Sequence, residues 1–208
     1  MTDIENIASP AVGSIVRFAD IDWRVLAVEG NKALLISENS LEDRPYNTIK
    51  FTYVIWETCS LRKYLNGEFY NSLGTDKSKI AETKNSNPDN QWYGTKGGSA
   101  TTDKIFLLSL DEVVKYFGDS GQLTNRGERP KDEDNIYLWG VINDEYNSAR
   151  IAINCKNGYN REWWLRTPGL STIRATYVNH DGKIRICGNF SHSHYIFCGV
   201  RPALWLNL

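Results

Sequence analysis

No stretch of the chain approaches the ~20 consecutive apolar residues that a bilayer-spanning helix needs, so membrane insertion is not expected. Charge of one sign is equally lacking. Lysine plus arginine number 24 against 25 aspartate plus glutamate, a formal net charge of -1. So even a balance leaves no whole-molecule field to steer nucleic acid or other polyanions. Cysteine is sparse: Cys59, Cys155, Cys187 and Cys198 form no CxxC pair and match no zinc ribbon or finger spacing. A bridge between Cys187 and Cys198 on neighbouring strands is one reading, and buried thiols are the other and preferred one. Catalytic signatures are missing too. There is no Gly-x-Ser-x-Gly elbow, no phosphate loop and no dinucleotide fingerprint, and no carboxylate pair stands out for glycoside hydrolysis. No cofactor and no tightly held metal are expected. Met1 to Pro10 lacks the basic start and apolar core of a signal peptide. Residues 1–11 read as a loose arm and residues 12–208 as one domain, without internal repeat or linker, and the compartment and oligomeric state stay open.

What is present is an ordinary globular composition, 41% hydrophobic and 24% charged, in a chain long enough for a substantial core. Ile15 to Phe18 and Trp23 to Val28 read as strands, and Gly30-Asn31 before Ala33 to Ser37 signals a hairpin. Trp56 to Gly67 has helical spacing, with Leu61, Tyr64 and Leu65 on one face, a cap at Thr58 or Ser60, and Asn66-Gly67 able to leave the helix, while Glu68 to Leu73 can add another turn with Phe69 continuing the apolar stripe. Asp76 to Ala81 suggests a short helix. Glu82 to Thr102 is polar and reads as a surface loop pinned by Trp92-Tyr93. Ile105 to Leu108 reads as a short buried strand. Ser109 to Glu112 forms a capping box that opens a helix stopped by Gly118. Residues 119–158 form a polar excursion of the kind that more often binds than supports. Trp163 to Arg166, Ala175 to Val178, Lys183 to Cys187, Tyr195 to Cys198 and Ala203 to Leu206 then read as strands, with Asp181-Gly182 as a second hairpin turn. The fold class expected is α+β: a mostly antiparallel twisted sheet, two main helices and long polar loops.

Four ordered motifs carry a resemblance. WETCSLRKYLN at 56–66, FLLS at 106–109, WWLRTPG at 163–169 and GVRPALW at 199–205 resemble the marks of an uncharacterised bacterial domain family. That family is common in Gram-positive gut bacteria, alone or attached to larger surface or phage-like proteins, and the similarity spans Gly13 to Leu206. It has no assigned activity, so it implies no catalytic residues. More remotely, the late aromatic strand, hairpin and terminal Gly199-Val200-Arg201 are similar to the C-type-lectin-like fold, including its formylglycine-generating enzyme branch. The lectin calcium signature is not visible, its nearest fragment being Ile142-Asn143-Asp144, and the catalytic cysteines of that branch do not map onto Cys187 and Cys198.

Individual residues offer a few sites. On a strand His192 and His194 would share one face, but a local third metal ligand is missing and Gly188 to Ser193 reads as a hairpin loop, so an exposed polar loop is the preferred reading, while His180 lies in a turn. Asp132 to Asn135 is oxygen-rich without the spacing of an EF-hand and reads as a solvated acidic loop. Cys59 as a nucleophile would need a distant histidine. Arg166 and Arg201 sit among apolar residues, where each needs a carboxylate or carbonyl partner or else grips an acidic or sugar ligand. Trp23, Trp164 and Trp205 read as core. Trp92, Tyr93, Tyr137, Trp139 and Tyr159 lie in polar contexts, which suits ligand contact. Together these point to a non-catalytic module that binds a glycan or protein partner through residues 119–158 and Trp92-Tyr93. An enzyme with a site assembled across distant loops, such as a hydrolase or oxidative modifier, is the rival; a structural attachment domain is the third.

Overall fold

The computed structural model describes residues 9–50, 52–126, 140–192 and 198–208. The chain is α+β with mostly antiparallel strands. A four-stranded sheet is ordered β1 (Ile15–Phe18), β2 (Ile21–Glu29), β3 (Lys32–Ser37), β14 (Ala203–Asn207). A six-stranded sheet is ordered β4 (Glu42–Asp43), β13 (Gly199–Val200), β10 (Trp163–Pro168), β11 (Arg174–Val178), β12 (Ile184–Phe190), β7 (Val141–Ile142). Among the named strands only β10 and β13 pair in parallel. Two small ribbons complete the strands, β5 (Thr83–Asn85) with β6 (Thr101–Asp103) and β8 (Ala152–Ile153) with β9 (Asn160–Arg161). The helices are α1 (Ser60–Tyr64), α2 (Tyr70–Ser72), α3 (Leu110–Phe117) and α4 (Asn147–Arg150).

The local signals with short range behave as expected. Gly30 takes φ 58° where Glu29 faces Lys32 across the β2–β3 turn. Ser109 and Glu112 form the reciprocal capping box of α3, and Gly118 ends the helix at φ 118°. A Cβ on Gly118 would lie 2.2 Å from the Tyr146 ring, so both conformation and space require glycine there. The second hairpin is looser than a two-residue turn: Val178 faces Ile184, and Asn179 Oδ1 accepts the backbone N–H groups of Asp181 and Lys183 at 3.1 and 2.8 Å.

Other segments depart from expectation, each because a distant partner intervenes. The α1 cap is Cys59, whose sulfur accepts the Arg62 N–H at 3.3 Å, rather than Thr58 or Ser60. Asn66-Gly67 does not end the helix, which continues as a π-helical stretch, Leu65–Phe69, into α2. Asn66 is held by the Lys104 N–H at 2.7 Å and donates to Ile105 O at 2.8 Å, so its side chain clamps the next segment instead of releasing the chain. Gly74–Lys79 is a 3-10 helix. Ile105 to Leu108 is fully buried but makes only a bridge between Phe106 and Ala203.

The polar stretch 82–102 is not a surface loop throughout. Asn85, Asn87, Asn90 and Thr101 are buried. Asp103 gathers Trp56 Nε1 at 3.1 Å, Arg62 Nε at 2.6 Å, Asn85 Nδ2 at 3.1 Å and Thr101 Oγ1 at 2.7 Å. Asn90 donates to Pro168 O and Ile186 O at 2.8 and 3.0 Å, and accepts from the Trp92 and Tyr93 N–H groups. Buried amides are tolerated when each donor and acceptor is matched, and here they tie the loop to β10 and β12. Residues 119–158 are likewise integrated in part, since Ile142 adds an edge strand to the six-stranded sheet and Ala152 is buried. Apolar side chains of both large sheets, α1 and α3 belong to one buried cluster that includes Trp23, Trp56, Trp163 and Trp164. Trp205 packs against it from a partly exposed position.

Candidate functional site

A cleft of about 500 Å³ opens where the four-stranded sheet meets α3 and α4. Its lining comes from six separated stretches, the first of them Val12 and Gly13 ahead of β1. Arg24, Val25 and Leu26 belong to β2, Glu38 and Asn39 follow β3, Tyr116 and Phe117 end α3, and Ser148, Ala149, Ile151 and Ile153 run from α4 into β8. Arg201, just after β13, lines it as well. A register break helps to build this wall. Val25 faces Leu35 and Ala27 faces Leu34, which leaves Leu26 as the extra residue of a bulge. Such a bulge turns side chains that strict alternation would send to opposite faces, and both Val25 and Leu26 reach the cleft.

The opposite wall is held by an ion pair. Arg150 and Asp144 are both fully buried, with Nη1 to Oδ1 and Nη2 to Oδ2 contacts of 2.9 Å, and Arg150 Nη2 also donates to Gly118 O at 3.1 Å. This fastens α4 to the end of α3 and fixes the spacing between Phe117 and Ala149. Burial pushes the Asp144 carboxyl up, but the hydrogen bonds from Arg150 and Ser120 outweigh it and hold the group below the ordinary aspartate value.

Two arginines give the cleft its polarity. Arg24 meets Glu38 side on, Nε to Oε2 at 2.7 Å with a second contact from Nη2 to Oε1, and its Nη1 donates to Gly13 O at 3.1 Å. Arg201 is 1% exposed. Its Nε donates to Ser37 O at 2.8 Å and its Nη2 to Glu38 O at 3.0 Å, while Nη1 meets no acceptor among the described residues. Its Cζ lies 5.4 Å from the Phe117 ring centroid and 5.1 Å from that of Trp163. Burial brings the Arg201 guanidinium down to about 10, with Arg24 repelling it and Glu38 opposing the shift, so it stays charged at neutral pH.

The other candidate residues are dispersed. Arg166 is buried but belongs to a packed ion pair with Glu112, and it donates to Leu107 O at 2.7 Å. Trp92 is 8% exposed, its indole donating to Leu123 O at 2.8 Å, so it anchors its loop instead of offering a face. Tyr93 is half-buried, with its hydroxyl against Gly140, where a Cβ would come within 2.5 Å. Tyr159 is exposed in the turn between β8 and β9, away from the cleft lining. Tyr137, Trp139, His194 and the acidic run 132–135 lie outside the described residues. His192 is buried, and His180 is exposed beside Glu162 and Asp181 at 3.7 and 3.4 Å. Among the described residues no three His, Cys, Asp or Glu side chains converge as a metal cage. All four cysteines are thiols, buried except Cys155. Burial pushes the Cys59 thiol up to about 12, opposite to what a nucleophile needs. Sequence signals drew attention to Arg201 but not to its neighbours, because the lining is assembled from segments far apart in the chain.

No helix among the described residues is long and apolar enough to cross a membrane. In comparison with known proteins, residues 30–208 match the family described as Domain of unknown function (DUF6273), and the chain belongs to it. No curated protein and no solved structure matches the chain.

Proposed function

For a chain of this uncharacterised family, we propose a non-catalytic role: a binding module that takes a segment of a protein partner into the cleft around Arg201. The observation that carries the proposal is the lining itself. Val25, Leu26, Phe117, Ile151 and Ile153 give it apolar walls, and Arg24, Glu38, Asn39, Tyr116, Ser148 and Arg201 set polar groups among them, the mixture that suits recognition. Among the described residues its one carboxylate, Glu38, is paired with Arg24, and the lining contains neither cysteine nor histidine, so no acid and base converge among them. The aliphatic side chains of Val25, Leu26, Ile151 and Ile153, with Arg24 and Glu38 already paired to each other, favour a peptide segment over a glycan, which asks for many free polar groups. The polar excursion contributes through Ser148 to Ile153, one side of the cleft. A C-type-lectin-like arrangement belongs to the same proposal only as a remote likeness of the terminal motif.

The test compares partner capture and a glycan array using the full chain and two variants. Ala149→Trp fills the cleft from an exposed position, and Tyr159→Ala removes an exposed ring outside it. Loss of protein capture in the first variant alone supports the proposal. Unchanged capture in Ala149→Trp rejects it, and glycan binding without protein binding replaces the partner class.

A further inference from the structure

We propose that the cleft recognises a carboxylate carried directly on an apolar body, with Arg201 Nη1 as the anchoring donor, a specification that rests on the cleft being the binding site. Three observations carry it. First, the two satisfied nitrogens of Arg201 meet backbone carbonyls, Ser37 O and Glu38 O, which use its donors without neutralising its charge. Second, Nη1 is buried and has no acceptor among the described residues, and a buried donor of a charged group left unmatched is costly enough to mark a missing partner. Third, Glu38, the carboxylate of the lining, turns both oxygens to Arg24 and makes no hydrogen bond to Arg201 Nη1. An anion that completes Arg201 therefore has to come from outside the described residues.

The walls decide which anion. Leu26, Phe117, Ile151 and Ile153 would strip water from a phosphate or sulfate without replacing it, at high cost. A planar carboxylate needs fewer compensating donors, and an alkyl or aryl group attached to it gains from burial against these side chains. The volume, about 500 Å³, is enough for a small organic acid or for an apolar residue at a chain end. The aromatic faces of Phe117 and Trp163 beside the guanidinium keep it in place without competing for Nη1.

The probes are 4-phenylbutyrate, its amide, and an N-acetylated tripeptide ending in leucine as free acid and as amide, each titrated calorimetrically into the full chain. At least one acid is expected to bind about tenfold or more tighter than its own amide, the size of one charge-assisted hydrogen bond. Preference for the peptide acid assigns the ligand to a polypeptide end, and preference for phenylbutyrate assigns it to a free acid. Arg201→Met should erase the difference between acid and amide. Ile153→Glu, at a rim position already 42% exposed, should do the same without touching the buried arginine, so a misfolded Arg201 variant leaves the proposal testable. Acids and amides binding equally, with Ala149→Trp weakening both, would overturn the carboxylate and leave the cleft. No binding of any probe, with protein capture still lost in Ala149→Trp, would also overturn the carboxylate alone. Capture unchanged in Ala149→Trp would remove cleft and carboxylate together.

Discussion

Arg166 on β10 and Glu112 on α3 meet through two contacts, Nη2 to Oε1 at 2.7 Å and Nη1 to Oε2, and the same Oε2 accepts the Ser109 backbone N–H at 2.9 Å. One carboxylate thus closes the helix cap and neutralises a buried strand arginine. Arg166→Ala should cost about 2–4 kcal/mol, less than a fully buried pair because Glu112 keeps some contact with water. Urea denaturation should show a lower midpoint with an unchanged slope. A midpoint equal to that of the wild type would reject this role.

Trp92 behaves as core, which changes what its mutation can report. Trp92→Ala removes a buried ring and its hydrogen bond to Leu123 O, and should cost about 3–5 kcal/mol. Tyr159→Ala, at an exposed turn, should stay within about 0.5 kcal/mol of the wild type. Thermal melts of the pair check both values; equal melting temperatures would place Trp92 at the surface after all.

The cysteines should separate by reactivity. Cys155 is exposed, whereas Cys59, Cys187 and Cys198 are buried with thiols pushed up by burial. A thiol-exchange reagent at pH 8 should label the native protein at Cys155 in a fast phase that Cys155→Ser abolishes. For Cys59 the folded value is raised from 9.0 to about 12, so its contribution to stability is complete below 9.0 and lost as pH rises towards 12. Denaturation midpoints taken upward from pH 8 should therefore fall, and fall less in Cys59→Ala. Two or more fast native thiols would contradict the burial.

The Asp144 carboxylate, paired with Arg150, titrates in the other direction. Asp144 is held below its ordinary value, so the stabilisation is present above the ordinary carboxylate range and lost as pH falls through the lowered value. Arg150→Ala leaves a buried carboxylate unpaired and should cost about 3–5 kcal/mol at neutral pH. The gap between wild type and variant should narrow in acid, when the variant's Asp144 takes up a proton first. A gap independent of pH would show that the loss is packing alone.

The segments legible in the sequence were those whose partners lie within a few residues. The Gly30-Asn31 turn, the Ser109 capping box and the Gly118 stop depend on local backbone geometry, and each appears as expected. Asn66-Gly67 carries the signal of a helix exit, yet the Lys104 and Ile105 backbone groups capture Asn66 and the helix runs on. The stretch 82–102 looks like a solvated loop because its asparagines are polar, and it is buried because Asp103, Pro168 O and Ile186 O lie waiting for them. Arg201 was visible as a charge among apolar neighbours. Its cleft was not, since that required the bulge at Leu26, the Arg150–Asp144 pair and six separated stretches of chain at once.

Strand β3 sits between β2 and β14, with Leu35 facing Val25 on one side and Leu204 on the other. In chain order β1, β2 and β3 come together, while β14, which covers the far edge of β3, begins only at Ala203. Until β14 pairs with it, that edge keeps unpaired backbone groups beside apolar side chains and is open to any extended segment nearby. Pairing across so long a stretch of chain is slow by topology, which makes Leu34 to Ile36 the place where a mispaired strand would compete with β14.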